Sequence, residues 1–263
     1  GDRPVWPRDR VADFQHMTLE VTLDVPAKSL RGVATHRLSP LNDGLRFVEL
    51  DGIELAIEGV TVDGRAAKHQ YDGARIRVDL GQARNRGDVV EVAIAYHCTP
   101  RIGLYFIAPD AGYPEKPLQV WSQGQDEDNR HWFPCFDFPS DKLTTEMIAT
   151  VPGSWFALSN GRLVSDTANA DGTRTFHWSQ ERPHSTYLVT LAAGEFARID
   201  GSREDLTIDY FVEADARADG ERTFKNTPEM IALFERISGV AFPWAKYSQV
   251  VVRDFVFGGM ENT

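Results

Sequence analysis

The segment Met17-Thr18-Leu19-Glu20-Val21-Thr22-Leu23-Asp24-Val25 decides the fold, because its apolar and polar residues alternate without interruption. Successive side chains of a strand point to opposite faces, so this alternation indicates a strand with one buried face. Similar short runs recur at residues 45–50, 53–62, 75–80, 89–96, 144–151, 173–178 and 186–191. Asp-Gly or Asn-Gly turns punctuate them at 63–64, 72–73, 160–161 and 171–172. The pattern predicts a mainly β fold, with an antiparallel sandwich or saddle domain over residues 1–200.

After about residue 200 the chain becomes mixed. A strand at 206–212 precedes one predicted helix, for which Thr227 is the cap, Pro228 the first helical residue and Gly239 the left-handed end. Residues 221–225 are compatible with an extension of this helix across a kink. The helical apolar stripe consists of Met230, Ile231, Phe234 and Ile237. Because amphipathic helices usually bury such a stripe, we expect it to pack into a core.

Composition describes an ordinary globular chain. Of 263 residues, 42% are hydrophobic and 25% are charged, which is enough to bury a core. The net charge of −11 disfavours nucleic acid as a partner, and no apolar run is long enough for a membrane span. Two cysteines exclude a disulfide framework, although a single Cys98 to Cys135 bridge stays open. The compartment is unknown: a soluble protein, cytoplasmic or exported after cleavage of a leader, since the chain begins at Gly1 without Met.

The sequence ends on Phe257-Gly258-Gly259-Met260-Glu261-Asn262-Thr263. Two glycines remove side chains where another chain must come close, so a peptide could pair with this backbone as an added strand. Glu261 would then offer a carboxylate to the peptide's α-ammonium group, whose pKa is about 7.7–8.0. The alternative is a strand that leaves through a glycine turn with Glu261 in water. The motif alone leaves both interpretations open.

Two blocks of sequence resemble one protein family. The first comprises residues 121–125, Trp-Ser-Gln-Gly-Gln, and residues 130–139, Arg-His-Trp-Phe-Pro-Cys-Phe-Asp-Phe-Pro; the second runs from Phe242-Pro243-Trp244 to Asn262. In this order they are similar to segments of the aminopeptidase N and leukotriene hydrolase family of gluzincin zinc metallopeptidases. Weaker similarity extends back to Met17, so the resemblance covers nearly the whole chain.

The resemblance implies a zinc aminopeptidase that removes N-terminal residues from peptides. In this family an H-E-x-x-H helix and a later glutamate hold the zinc ion. None of the seven histidines begins such a pattern; they are His16, His36, His69, His97, His131, His177 and His184. We therefore expect zinc in the full-length protein, but neither a catalytic residue nor zinc in this chain, which we expect to be inactive alone. Residues 201–263 are expected to form the truncated start of an α/β catalytic domain and to expose apolar surface where the remainder of that domain packs.

Site residues follow from the resemblance one by one. It implies that Glu261 is the main anchor of the substrate amine, and that Gly258, Gly259 and Met260 supply backbone contacts. Gln125 matches a second amine-binding position that is often glutamate in relatives, and Gln123 matches a residue that lines the first specificity pocket. Without the resemblance, both glutamines are better interpreted as exposed residues at the end of a strand, bonded to water or backbone.

Other chemistry is weakly indicated. His131 and Cys135 are four residues apart, but Pro134 lies between them and argues against a shared helical face. His97 and Cys98 are adjacent and would point to opposite faces of a strand. Asp137 is interpreted as a structural residue that holds the loop carrying Gln125.

The expected partners are peptides with a free N-terminus. The alternative functions are a non-catalytic β-sandwich peptide-binding module and a bifunctional relative that also opens epoxides.

Overall fold

The computed structural model describes residues 8–263, and residues 1–7 of the first predicted domain lie outside this range. In chain order its strands are β1 (Ala12–Asp24), β2 (Ser29–Pro40), β3 (Leu45–Asp51), β4 (Ala56–Val62), β5 (Arg65–Ala66), β6 (His69–Tyr71), β7 (Arg75–Arg84), β8 (Val90–Cys98), β9 (Leu104–Ile107), β10 (Gln119–Ser122), β11 (Lys142–Pro152), β12 (Phe156–Ser159), β13 (Arg162–Ala168), β14 (Thr173–Ser185), β15 (Leu191–Gly194), β16 (Ala197–Asp200), β17 (Thr207–Val212) and β18 (Lys246–Val250). The helices are α1 (Arg217–Phe224) and α2 (Thr227–Ser238). Short 3-10 turns occupy Asn129–His131, Thr186–Leu188 and Ala214–Ala216.

An eight-stranded sheet forms the frame, in the order β13-β14-β11-β1-β2-β8-β4-β5. The predicted alternation in β1 is confirmed, since Leu19, Val21 and Leu23 are buried while Glu20 and Thr22 are exposed. The sheet is mixed, because β1 pairs antiparallel with β2 but parallel with β11. The Asp63-Gly64 turn joins β4 to β5 with both residues at positive φ, which is the backbone that a two-residue hairpin needs.

Two smaller sheets share one core with this frame. Their orders are β12-β15-β10-β9 and β3-β7-β6. The largest fully buried side chains of the molecule include Trp132, Tyr96, Phe133 and Phe176, and all four belong to this core. The mainly β prediction is thereby confirmed. The expected strand at 186–191 is wrong at its start: Thr186–Leu188 is a 3-10 turn and β15 begins at Leu191, because the buried Thr186 hydroxyl donates to the Phe136 carbonyl at 3.0 Å.

A second, smaller core follows. Strand β17 pairs antiparallel with β16 and parallel with β18. Its residues Ile208, Tyr210 and Val212 pack with Ile231 of α2, whereas Phe211 on the opposite face belongs to the main core. The two cores are therefore joined through the two faces of one strand. The division of the chain near residue 200 stays a prediction.

The helical region differs from the prediction in two details. Helix α2 begins at Thr227 with Asn226 before it, and the Thr227 hydroxyl donates to the Gln249 side chain at 3.1 Å instead of capping the helix. Helix α1 is separate and ends at Phe224, so residues 221–225 do not extend α2. Gly239 closes α2 in the left-handed conformation with φ of 70°, as predicted.

The expectation that the apolar stripe of α2 packs into a core is wrong for three of its four residues. Ile231 is 8% exposed, but Met230, Phe234 and Ile237 are 53%, 68% and 71% exposed. The reason is geometric: α2 contacts its sheet through one side only, and within residues 8–263 no further layer covers the other side. Beside it lies a groove of about 450 Å³ between α2 and the residues around Phe242 and Tyr247.

Cys98 and Cys135 are both buried and both free thiols, so the disulfide left open by the sequence is not formed. Among residues 8–263 no helix is long and apolar enough to cross a membrane.

Candidate functional site

The six predicted site residues lie on two segments. One is the loop after β10 that carries Gln123 and Gln125. The other is the segment from Val251 to Thr263, called the strap below. Strand β18 ends at Val250, and the strap that follows it has no regular secondary structure. It turns at Asp254 and Gly258, whose φ values are 60° and 82°.

The near end of the strap is held by β10 and by the residue after β17. The Trp121 indole N–H donates to the Arg253 carbonyl at 3.0 Å, and the Arg253 N–H donates to Gln119 Oε1 at 2.9 Å. The Arg253 guanidinium makes a bidentate pair with Glu213 at 2.6 and 2.7 Å. Planar bidentate pairs of this kind fix geometry as well as adding energy.

Aromatic rings continue this attachment. Tyr105 stacks on Trp121 with ring centres 4.5 Å apart, and Phe255 of the strap meets the same Trp121 ring edge-on at 5.1 Å. Phe257, the residue before the glycine pair, lies 5.4 Å from Phe255 and 6.4 Å from Trp121. Trp121 therefore contacts the strap through both its N–H group and its ring.

The far end of the strap is held by β14 and the turn before β13. The Thr263 hydroxyl lies 2.7 Å from His184 Nδ1, and its carbonyl accepts a bond from the Asn160 amide. His184 Nε2 lies 2.8 Å from the Thr145 hydroxyl. Burial lowers the pKa of His184 to about 4, so this ring is neutral at physiological pH.

Gly258, Gly259 and Met260 lie between these two attachments. They line a cavity of about 290 Å³ together with Trp121, Thr190 and neighbouring residues of β15 and the strap. A Cβ atom built on either glycine would have no heavy atom within 4 Å. The chain's own packing therefore does not require glycine at 259, and open space faces this stretch of backbone.

Glu261 is exposed and lies near one polar partner, the Tyr187 hydroxyl, at 3.5 Å. No lysine, arginine or histidine of residues 8–263 forms an ion pair with its carboxylate. Partial burial and the nearby Glu261 charge raise the pKa of Tyr187, so the phenol is protonated and can donate. Glu261 is thus an uncompensated anion at the surface.

The loop after β10 lies against the same tyrosine. A Cβ on Gly124 would come within 2.6 Å of the Tyr187 carbonyl oxygen, so this position requires glycine. Gln125 is exposed, whereas Gln123 is buried and its Oε1 accepts the Gln125 N–H at 3.3 Å. Tyr187 therefore touches the glutamine loop with its backbone and Glu261 with its hydroxyl. Sequence reasoning missed Tyr187, and the only signal was the glycine between the two glutamines.

The predicted structural role of Asp137 agrees with its contacts. Asp137 Oδ2 accepts the Arg130 N–H at 3.0 Å and the Arg130 Nε–H at 3.3 Å, and Arg130 belongs to the 3-10 turn after the loop. The Asp137 N–H donates to Asp51 Oδ2 at 3.1 Å, which ties this turn to β3. Burial raises the pKa of Asp137 to about 7.

Comparison with known proteins agrees with the resemblance. Residues 14–188 match the model of the Peptidase M1 N-terminal domain. The chain belongs to the M1 peptidase family. It is 28% identical over 192 residues to aminopeptidase B of Mus musculus, covering 72% of this chain and 28% of that protein. It is 24% identical over 260 residues to leukotriene A-4 hydrolase of Xenopus laevis, covering 95% of this chain and 42% of that protein.

Solved structures of M1 enzymes share the fold. A mutant M1 zinc metallopeptidase of Deinococcus radiodurans, bound to a Tyr-Ser-Ala substrate, superimposes with a TM-score of 0.79 at 22% identity. The match covers 92% of this chain and 56% of that structure. The chain thus spans less than half the length of the two curated M1 relatives and little more than half of the solved M1 protein.

The zinc ion implied by the M1 family does not fit the residues of this chain. The sequence has no H-E-x-x-H pattern. His16 Nε2 and His177 Nε2 approach Glu146 at 3.6 and 2.5 Å, but these are contacts on the outer face of the eight-stranded sheet. Across residues 8–263 no group of three histidine, cysteine or carboxylate side chains is arranged for a metal ion. No catalytic step can therefore be assigned to zinc held by this chain.

Proposed function

We propose that this chain is the N-terminal portion of a zinc-dependent aminopeptidase and that it holds the amino end of a peptide substrate without hydrolysing it alone. The observation that carries the proposal is the uncompensated Glu261 carboxylate beside Tyr187, on a strap attached at both ends and next to the Gln125 loop. Preorganised charge of this kind binds an opposite charge without paying for reorganisation at the moment of binding.

Glu261 is proposed to accept the substrate's α-ammonium group, with the Gln125 amide oxygen as a second acceptor. An ammonium group has three donors and no acceptor, so a carboxylate and an amide oxygen suit it. Because Gln125 is neutral, Glu261 supplies the only formal charge of this pair. Gln123 is proposed to support the loop through its contact with the Gln125 N–H, and its role as a pocket wall stays a prediction.

Gly258, Gly259 and Met260 are proposed to contact the extended substrate through their backbone. The open space around both glycines supports this interpretation, because a peptide needs room that side chains would fill. One extended residue spans about 3.3–3.6 Å, so a fixed ammonium site sets the position of the first peptide carbonyl. Removal of a single N-terminal residue then follows from geometry.

Hydrolysis is proposed only for this chain together with the remainder of its catalytic domain. The exposed side of α2, with Met230, Phe234 and Ile237, supports this, because contiguous apolar surface of this kind usually marks an interface. We propose that the remaining segments of the catalytic domain cover it. A zinc ion held by those remaining segments would activate a water molecule for attack on the peptide bond.

Two alternatives remain. A non-catalytic peptide-binding module would use the same Glu261 and Gln125 contacts, and it is favoured only if the longer protein lacks a zinc motif. A bifunctional enzyme that also opens epoxides is suggested by the similarity to a protein named leukotriene A-4 hydrolase. Assays of the longer protein on aminoacyl amides and on a lipid epoxide separate these alternatives from the aminopeptidase.

The test on this chain is binding, measured by calorimetry. A peptide with a free N-terminus should bind, and its N-acetylated form should bind at least about tenfold more weakly, equivalent to about 1.4 kcal/mol. Glu261→Gln should weaken binding of the free peptide only. Glu204→Gln is the matched control, because this exposed carboxylate forms no hydrogen bond or ion pair with any of residues 8–263. Equal affinity for the acetylated peptide, or no effect of Glu261→Gln, would refute the proposal.

A further inference from the structure

One turn of the chain touches both halves of the candidate site. It comprises residues 186–189 and is called the Tyr187 turn below. The Tyr187 carbonyl packs against Gly124 of the glutamine loop, and the Tyr187 hydroxyl lies 3.5 Å from Glu261 of the strap. In the part of the chain that the structure describes, no hydrogen bond joins the glutamine loop directly to the far end of the strap. The Tyr187 turn therefore links the segment of Gln125 to the segment of Glu261.

A buried asparagine attaches the Tyr187 turn to the strap. Asn160 is 2% exposed, and its amide nitrogen donates to the Leu188 carbonyl at 2.8 Å and to the Thr263 carbonyl. The same nitrogen lies 3.2 Å from the Thr263 hydroxyl, and the amide oxygen accepts the Thr190 N–H at 2.8 Å. One side chain thus bonds both to the Tyr187 turn and to the end of the strap that carries Glu261.

A second buried asparagine holds the other side of the Tyr187 turn. Asn129 is 0% exposed, and its amide nitrogen donates to the Thr186 carbonyl at 2.6 Å and lies 3.4 Å from the Val189 carbonyl. Its amide oxygen accepts the Trp132 indole N–H at 2.7 Å. A Cβ atom on Gly124 would come within 2.5 Å of the Asn129 nitrogen, so this asparagine also borders the glutamine loop. Buried amide groups therefore hold the Tyr187 turn on both sides.

The side chain of Asn160 is required for its bonds and not for a turn. The Asn160-Gly161 pair connects β12 to β13, which belong to different sheets, and only Gly161 of the pair has a positive φ, of 76°. The Thr190 N–H needs an acceptor while two carbonyls need donors, and an amide supplies both functions. A carboxylate of the same shape would turn an oxygen toward those carbonyls.

We propose that Asn160 is a positioning residue for Glu261, because its amide holds the strap against the Tyr187 turn and so sets the separation of Glu261 from Gln125. The consequence for binding rests on the proposed function, in which these two side chains accept one α-ammonium group. An ammonium group bonds both acceptors only if each lies within about 3 Å of its nitrogen. His184 also contacts the Thr263 hydroxyl, so loss of the Asn160 amide should loosen the strap without releasing it.

The first experiment uses calorimetry to compare the affinity for a peptide with a free N-terminus with the affinity for its N-acetylated form. The parent chain should show a ratio of at least about tenfold, and Asn160→Ala should lower it to less than about threefold. Reduced stability alone leaves this ratio unchanged, because only folded molecules bind either peptide. Asn160→Ser, whose hydroxyl donates to one carbonyl only, should give an intermediate ratio, and it replaces Asn160→Ala if that variant does not fold.

The matched control is Asn169→Ala in the β13–β14 hairpin. The Asn169 amide also donates two bonds, to the hydroxyls of Thr173 at 2.8 Å and Thr175 at 2.9 Å, but it contacts neither the strap nor the Tyr187 turn. Its removal should leave the affinity ratio of the parent unchanged. An equal fall of the ratio in this control would overturn the proposal, because the effect would then follow from any lost pair of amide bonds.

The second experiment needs no peptide. It measures the pKa of Tyr187 by NMR on protein with isotope-labelled tyrosine, and Tyr187→Phe assigns the resonance. Partial burial and the nearby Glu261 charge raise the pKa of Tyr187, so Glu261→Gln should lower it in the parent. In Asn160→Ala or Asn160→Ser the same substitution should have a smaller effect, because the strap no longer keeps the carboxylate beside the phenol.

The two experiments separate failure of the aminopeptidase proposal from failure of the positioning role. Equal affinity of the parent for both peptides would refute the substrate assignment, while a smaller effect of Glu261→Gln on Tyr187 in the Asn160 variants would still support the positioning role. That role is overturned if a folded Asn160 variant keeps the full effect of Glu261→Gln on the pKa of Tyr187. It is also overturned if such a variant keeps the affinity ratio of a parent that prefers the free peptide.

Discussion

Replacing Lys246 by methionine should make the protein more stable at neutral pH. Lys246 begins β18, where its ammonium donates to the Ser159 carbonyl at 2.8 Å and lies 5.0 Å from the centre of the Trp178 ring. It forms no ion pair with any of residues 8–263, and the nearby Asp209 is bonded to Arg198. Burial lowers the pKa of Lys246 from 10.5 to about 8.

The lowered pKa of Lys246 determines how stability changes with pH. Below pH 8 both the folded and the unfolded chain hold the proton, and the full cost of desolvating the half-buried ammonium is present. Between pH 8 and 10.5 the unfolded chain still holds a proton that the folded chain has lost, so stability rises with pH. A shift from 10.5 to about 8 corresponds to about 3 kcal/mol in total, of which about 1 kcal/mol returns between pH 7 and pH 9.

Methionine keeps the packing against Trp178 but loses the hydrogen bond and the cation–π contact. These losses cost about 1–2 kcal/mol of the roughly 3 kcal/mol that is gained by removing the desolvated charge. The variant should therefore be about 1 kcal/mol more stable at pH 7. Urea unfolding at pH 7, 8 and 9 measures both quantities, and the exposed Lys225→Met is the control. Burial raises the pKa of Cys98 to about 12, so above pH 9 the unfolded chain loses a proton that the folded chain keeps, and stability falls. This fall is the same in the parent and in both lysine variants, and the difference between their unfolding free energies cancels it. The reasoning fails if Lys246→Met retains the parent's pH dependence.

Three further predictions concern separate parts of the fold. Ile231→Ala should cost about 2–4 kcal/mol of unfolding free energy, while Phe234→Ser on the same helix should cost less than about 1 kcal/mol because Phe234 is 68% exposed; equal losses in urea titrations would contradict this. Gly259→Ala should change stability by less than about 0.5 kcal/mol yet weaken binding of a free peptide, and calorimetry showing unchanged affinity would remove Gly259 from the site. His184 has a pKa lowered to about 4, so the folded state binds fewer protons between pH 4 and 6.5 and stability should fall on acidification through this range. His184→Gln should flatten that fall in thermal melts, and an unchanged profile would assign the acid sensitivity to other groups.

Local patterns predicted the strands that have one buried face. The alternation in β1 and the Asp63-Gly64 turn are local properties, because side-chain direction and positive φ depend on neighbouring residues alone. The shift of one residue at the start of α2 has a tertiary cause, since Thr227 bonds to the distant Gln249 of β18 and not to its own helix. The 3-10 turn at Thr186 depends on the distant Phe136 carbonyl, which no local pattern reveals.

The candidate site was found only in part. Glu261 and Gln125 came from the family resemblance, but Tyr187, which touches both of their segments, is distant from each in sequence. The exposure of Phe234 was missed because helical periodicity reports an apolar stripe without reporting what covers it.

The sequence by itself determined the period of its elements, the absence of an H-E-x-x-H pattern from these 263 residues and the chemical nature of the strap, because each depends on residue type and spacing. The tertiary structure alone decided that the strap is attached at both ends, that the Glu261 carboxylate forms no ion pair with any of residues 8–263 and that the half-buried Lys246 lies beside Trp178. These features join residues far apart in the chain, and only the packing of sheets against one another determines which of them meet.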